Sequence, residues 1–287
     1  MGTASLMQQG DTFLAADKIN AKRIVRKPHI AKAVTDYLIY VESNFRRALD
    51  IAAEGTAATN FTDWWWKARI GKCQFKMGMI KDSEAQFLSS IKNQSMVSTH
   101  IELVKVAVKQ DQPIRAIELF ETGLEKHVYD PQLIMGIARI NEMVNDSVKS
   151  FKLYKQVLTF DNNSVEAIAS IASHHFYTDQ PEVALRFYKR LVQYGVLSSE
   201  LWNNMGLCCF YASQYDMALS CFDRALAIAE NDEVRAEIWY NIGHIGIGIG
   251  DLGLAYQSFK ISVSFNPNHA EAFNNLGVLE LRKGNVD

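Results

Sequence analysis

Trp202-Asn203-Asn204-Met205-Gly206 is echoed by Trp239-Tyr240-Asn241-Ile242-Gly243 and again by Phe273-Asn274-Asn275-Leu276-Gly277. With the closing glycine as a marker, equivalent small or apolar residues lie at Gly71, Val104, Ala138, Ala172, Gly206, Gly243 and Gly277, in steps of 33, 34, 34, 34, 37 and 34 residues. Twelve residues after each of the first six markers comes another small residue: Ser83, Ala116, Ser150, Ala184, Ala218 and Ala255. Four further on comes an aromatic: Phe87, Phe120, Tyr154, Tyr188, Phe222 and Phe259. The period decides the fold.

Each repeat supplies two helices, A and B, and neither can bury its apolar face alone. Small residues belong where two helices approach closely, and an aromatic four residues later lies on the same helical face. A 34-residue period of this pattern marks the tetratricopeptide (TPR) helix–turn–helix repeat. The expected fold is therefore all-α, a right-handed TPR superhelical solenoid. An independent echo is Asp-Gln-Pro at 111–113 and 179–181, which are 68 residues, or two repeats, apart. Both prolines fall where helix B should begin. Proline is tolerated in a first turn, and a nearby aspartate would suit the positive helix end.

Residues 1–63 fall outside the repeat frame and are expected to form an N-terminal extension and capping helix. Val34, Leu38, Val41, Phe45, Leu49 and Ala52, at three- and four-residue spacing, predict one helix over Pro28 to Glu54. Gly55 to Asn60 reads as a loop, and residues 1–25 as poorly ordered. Residues 64–287 then form the solenoid. Six full repeats start near 64, 97, 131, 165, 199 and 236, and 270–287 is the first helix of a seventh. The step of 37 places three extra residues near Asn231 to Val234, between a helix B and the next helix A, where a local bend is expected. Phe273, Leu276 and Leu279 are expected to lack their own partner helix, helix B of the seventh repeat, so the chain reads as a fragment of a longer solenoid.

With 48% hydrophobic residues and five prolines in 287, the core can be continuous, and a formal net charge of −2 gives no global pull toward nucleic acid or anionic lipid. The stretch from His244 to Ala255 is interrupted by Asp251 and too short to span a membrane. Met1-Gly2-Thr3 opens no charged-then-apolar signal layout. Cys73, Cys208, Cys209 and Cys221 lack the spacing of a secreted disulfide framework, so a reducing, intracellular compartment is expected.

The glycines at 243, 246, 248 and 250 resemble a phosphate-cradling loop. That chemistry needs a preceding strand and a following helix N-terminus, whereas this stretch falls in helix A, with Gly250 at its turn. His174-His175 and Cys208-Cys209 are adjacent pairs, whose side chains diverge by about 100° on a helix and cannot converge on one ion. No catalytic constellation can be assembled from the order of residues. The chain is expected to be non-enzymatic, with no cofactor and no metal.

The candidate partner-binding residues are Trp64, Trp65 and Trp66, together with Asn204, Asn241 and Asn275. Three consecutive tryptophans cannot all face one groove: they either anchor the N-terminal cap or form an interface hot spot. The three asparagines share one position of helix A and either bond between repeats or grip an extended peptide backbone. Glu200, Glu237 and Glu271 at neighbouring positions would repel a C-terminal carboxylate, which disfavours a carboxylate-clamping co-chaperone.

Narrower strings add a resemblance. They are G-T-A-S-L-M at 2–7, D-W-W-W-K-A-R-I-G-K-C at 63–73 and L-I-M-G-I-A-R-I at 133–140. To these add H-F-Y-T-D-Q-P-E-V-A-L-R-F-Y-K-R at 175–190, N-N-M-G-L-C-C-F-Y-A-S-Q-Y-D-M-A-L at 203–219 and W-Y-N-I-G-H-I-G-I-G-I-G-D at 239–251. Together they resemble the TPR protein 8 (Bardet–Biedl syndrome 8) family over essentially the whole chain. The resemblance implies a scaffold subunit of the BBSome, a coat-like adaptor that moves membrane proteins to and from the cilium with intraflagellar transport. Implied partners are the other BBSome subunits and, through the complex, ciliary cargo and an Arf-like GTPase, with no nucleic acid and only peripheral membrane association. Implied locations are the cytoplasm, cilium, basal body and centriolar satellites. Two other readings stay open: the TPR region of a larger enzyme such as an O-linked sugar transferase, and a peptide-binding co-chaperone.

Overall fold

The computed structural model describes residues 20–283, and its regular elements there are all α-helices. After the single turn α1 (Ala21–Ile24) come helix pairs. They are α2 (Pro28–Tyr40) with α3 (Phe45–Ala58), α4 (Trp64–Lys76) with α5 (Ile80–Asn93), and α6 (Val97–Lys109) with α7 (Pro113–Lys126). Next are α8 (Pro131–Met143) with α9 (Ser147–Phe160), α10 (Val165–Tyr177) with α11 (Pro181–Gln193), and α12 (Ser199–Tyr211) with α13 (Tyr215–Ile228). Last come α14 (Asp232–Ile249) with α15 (Leu252–Phe265), and α16 (Ala270–Lys283). The chain forms two compact units, 1–153 and 154–287, divided within α9.

In the α4–α5, α12–α13 and α14–α15 pairs the marker glycine meets its aromatic. A Cβ placed on Gly206 would stand 2.6 Å from the Phe222 ring, and one on Gly243 would stand 2.5 Å from Phe259. The helices are thus in contact through a glycine, and any side chain there must push them apart. The second small residue of each repeat is buried beside it. Serines on helix B add cross-helix bonds. Ser83 Oγ donates to the Gly71 carbonyl at 2.8 Å, while Ser90 Oγ and Ser262 Oγ donate to the carbonyls of Trp64 and Ala236 at 2.9 and 2.8 Å.

Every A–B turn carries one left-handed residue at the same register. These are Ser43, Gly78, Asp111, Asn145, Asp179, Ser213 and Gly250, with φ between 55° and 83°. The next residue's N–H then reaches back to the helix: Gln112 to the Ala107 carbonyl, Gln180 to His175, Gln214 to Cys209. This is the Schellman closure, which satisfies carbonyls left open at a helix end. Asp111 and Asp179, expected to complement the positive end of helix B, instead take the left-handed position, which aspartate tolerates. Pro113 and Pro181 do open α7 and α11. A Gly78→Val chain is expected to lose about 1–2 kcal/mol, although nothing lies within 4 Å of a Cβ there. A urea titration against the parent checks this.

Three expectations need correction. The single helix over 28–54 is two, because Ser43 turns left-handed and Asn44 caps α3, its side chain accepting from the Arg47 N–H. An unbroken apolar period hid the turn, and 55–58, read as loop, completes α3. The extra residues near Asn231 are no insertion between helices, since they lengthen α14 to 18 residues where α12 has 13. Leu279 is buried against Ala255 and Phe259 of the preceding helix B, while Phe273 is half-exposed. Most of 1–25 lies outside the described residues, but 21–24 is helical.

Candidate functional site

Asp63 opens α4, its Oδ1 accepting from the Trp65 N–H at 2.9 Å while Lys32 Nζ donates to its Oδ2 at 2.8 Å. Of the three tryptophans, Trp66 is 1% exposed and packs with Ala31, Ala52 and Ile70. Ala52 and Gly55 on α3 leave room that its indole fills. Trp64 and Trp65 are half-buried. Trp65 meets Trp66 edge-on at 4.8 Å and lies between two cations, Lys32 Nζ at 5.1 Å and the Arg69 guanidinium at 4.6 Å from its ring.

Arg69 grips Asp36 with both prongs, Nε to Oδ1 at 2.6 Å and Nη2 to Oδ2 at 3.2 Å. One turn on, Lys72 Nζ donates to the Tyr40 hydroxyl at 2.9 Å and to Glu102 Oε1 at 3.3 Å. Glu102 also accepts from Lys105 at 3.1 Å. Forked arginine pairing and cation–aromatic contact fix orientation as well as adding energy. This lattice ties α2 to α4 and α4 to α6, and it was missed in the sequence. The available signal was opposite charges about one repeat apart: Lys32 with Asp63, Asp36 with Arg69, Lys72 with Glu102.

The candidate asparagines Asn204, Asn241 and Asn275 are half-buried and engaged. Asn241 Nδ2 donates to Asn203 Oδ1 of the preceding repeat at 2.9 Å, and Asn275 meets His244 Nε2 at 3.3 Å. Asn204 bonds the buried Tyr188 phenol, which burial pushes up to about 12. With Ser173, Phe176, Tyr177 and Leu207 these two line a small cavity of about 100 Å³. Beside it Phe176, Tyr211 and Phe210 follow edge to face, with centroids 5.3 Å apart, and Tyr177 is 83% exposed.

The three groove glutamates differ. Glu200 sits at the start of α12, where hydrogen bonds from its own backbone N–H and then from Ser198 and Ser199 hold its carboxyl below the usual range. Glu237 Oε1 stands 3.5 Å from Nε2 of the buried His269, and Glu271 Oε2 stands 3.2 Å from its Nδ1. Both carboxylates thus face one buried imidazole.

The glycine run belongs to α14, and Gly250 caps it in the left-handed conformation, so no strand precedes it. His175 stacks on Phe187 at 5.6 Å and holds Gln180 Oε1 through Nδ1 at 2.9 Å, while the His174 ring stands 75° to it. All four cysteines are buried free thiols. Burial pushes Cys73 and Cys208 up to about 12 and Cys221 to about 11, so these stay protonated near neutrality.

His100 is buried, and its Nε2 lies 3.0 Å from Ser95 Oγ, which also meets His127 Nε2 at 3.1 Å. Burial lowers the His100 pKa from 6.5, as it does for half-buried His244. In the unfolded chain these imidazoles take up protons first. Stability therefore holds above the unfolded value and falls as pH drops below it. Unfolding midpoints should decline between about pH 7 and pH 5, and the decline should be shallower in His100→Gln. Urea titrations across that range measure both.

A tetratricopeptide repeat family model matches residues 199–232, and a second matches 236–269. Tetratricopeptide repeat protein 8 of Mus musculus is 50% identical over 288 residues, covering 100% of this chain and 56% of that protein. BBSome complex member BBS4 of Bos taurus is 24% identical over 84% of this chain and 46% of its own length. Among solved structures, the C-terminal part of a TPR repeat-containing protein from Cytophaga hutchinsonii superposes with a TM-score of 0.66. It is 10% identical and covers 85% of this chain and 99% of that one, a likeness of fold alone. The chain spans a little over half the length of the protein 8 relatives.

Proposed function

Because the chain belongs to the tetratricopeptide repeat protein 8 family, we propose that it is a non-catalytic scaffold subunit of the BBSome, holding partner subunits for the movement of membrane proteins to and from the cilium. The observation that carries this reading is 50% identity along the whole of this chain. The match to the mouse relative runs through all of this chain, including residues 20–63, where the repeat frame alone would not produce it. BBSome complex member BBS4 of Bos taurus aligns over 84% of this chain. TPR stacks present long side-chain surfaces to other proteins, which suits a scaffold.

The partner surfaces we favour are the half-buried faces of Trp64 and Trp65 with their cation frame, and the helix A face carrying Asn204, Asn241 and Asn275. Trp66 serves these indirectly by fixing α4. Cargo and an Arf-like GTPase would be reached through the complex, and location at the cilium and basal body would follow from it. The test is affinity purification of the tagged full-length protein from ciliated cells, followed by mass spectrometry. Stoichiometric recovery of other BBSome subunits is expected, and recovery of chaperones alone would overturn the assignment. Trp65→Ala should weaken that recovery while leaving the helical circular dichroism intact.

A further inference from the structure

Cys208 and Cys209 diverge on α12, but Cys209 meets a thiol from the next helix. Cys221, on α13 of the same pair, shares a hydrogen bond with it. Both are free thiols, and Cys209 is wholly buried. Cys221 is 8% exposed, where the other three cysteines are at 0%, and it lines a surface pocket of about 280 Å³. That pocket is a path from solvent to the pair.

Trp202, Asp216, Met217, Ser220 and Arg224 complete its wall. Met217 stands four residues before Cys221 on α13, so thioether and thiol share one helix face. Met217 is also exposed, which sets a soft sulfur at the entrance. Cations lie close by. Lys189 of α11 acts on both thiols, while Arg224 acts on Cys221 and holds its guanidinium 4.8 Å from the Trp202 ring.

Burial raises the pKa of both thiols, so an oxidant or alkylating agent meets little thiolate near neutrality. A soft metal ion differs, because it drives the protons off as it binds. Zinc asks for four ligands in a tetrahedral array. Among the described residues no group of three His, Cys, Asp or Glu is placed to hold an ion. Copper(I) is suited by thiolate and thioether sulfur, and two or three such donors satisfy it.

We propose that Cys209, Cys221 and Met217 form a copper(I) site, with the two cysteines as thiolates and the thioether as third donor. Two S–H bonds break, both protons leave to solvent, and Cu–S bonds take their place. The copper stays in the +1 state throughout, so no electron moves. The filled site carries one net negative charge, which Lys189 and Arg224 offset. The ion ties α12 to α13 through their side chains.

The experiment uses the full chain, reduced and kept free of oxygen, with copper(I) as the only metal and bathocuproine disulfonate as competitor. One copper(I) per chain should be withheld from the competitor, and its X-ray absorption spectrum should show sulfur neighbours only. Cys221→Ser should lose the ion, Met217→Leu should hold it about tenfold more weakly, and Cys208→Ala should hold it as the parent does. No copper withheld by the parent chain, or a shell of nitrogen and oxygen, would overturn the proposal without recourse to any variant. So would full retention in Cys221→Ser or Met217→Leu with unchanged helical circular dichroism, or equal loss in Cys208→Ala.

Discussion

A Gly243→Trp chain unfolds roughly 3 kcal/mol more easily than the parent, because overpacking a close contact costs about 1–3 kcal/mol and the upper end applies where the neighbours cannot yield. Here they cannot. Even a Cβ would stand 2.5 Å from the Phe259 ring, and Phe259 is fully buried under Tyr240 and Leu279. Gly277 supplies the internal control. It holds the same register in α16, yet nothing lies within 4 Å of a Cβ there. Gly277→Ala should be neutral or gain up to about 1 kcal/mol from helix propensity. Guanidinium denaturation of both variants reads the contrast. Equal midpoints for Gly243→Trp and the parent would mean that the register is wrong.

Trp66→Ala is the second large effect, at about 3–5 kcal/mol for truncating a buried aromatic. Its indole fills the space left by Ala52 and Gly55, so its loss opens the joint between the α2–α3 pair and α4. Trp65→Ala should cost far less, within about 1 kcal/mol, since cation–aromatic contacts at exposed sites are worth little more. Urea midpoints separate the neighbours. A Trp66→Ala chain as stable as Trp65→Ala would show that the cluster does not hold α2 and α3 in place.

Legibility followed local physics closely. The alternation of A and B helices, the aromatic four residues after each small one, and the prolines opening α7 and α11 depend on contacts within one repeat, where spacing alone sets the geometry. The Ser43 break did not announce itself, because serine carries no turn signal as strong as glycine and the apolar period ran through it. The same holds at Asp111, Asn145, Asp179 and Ser213, whose shared register becomes visible only once the turns are seen together. At the candidate site, the chain order showed the tryptophans and asparagines but not their duties.

By itself, then, the sequence determined the repeat, its register and the pairing of small residue with aromatic. Each of these rests on residues one helical turn or one repeat apart, so periodicity encodes them. Tertiary structure alone decided that Trp66 is core while Trp65 stands between Lys32 and Arg69. It also decided that Asn241 and Asn275 are held by Asn203 and His244, and that Cys209 meets Cys221 beside a surface pocket. Those outcomes depend on rotamers and on which neighbour fills a space first, and neither has a period to read.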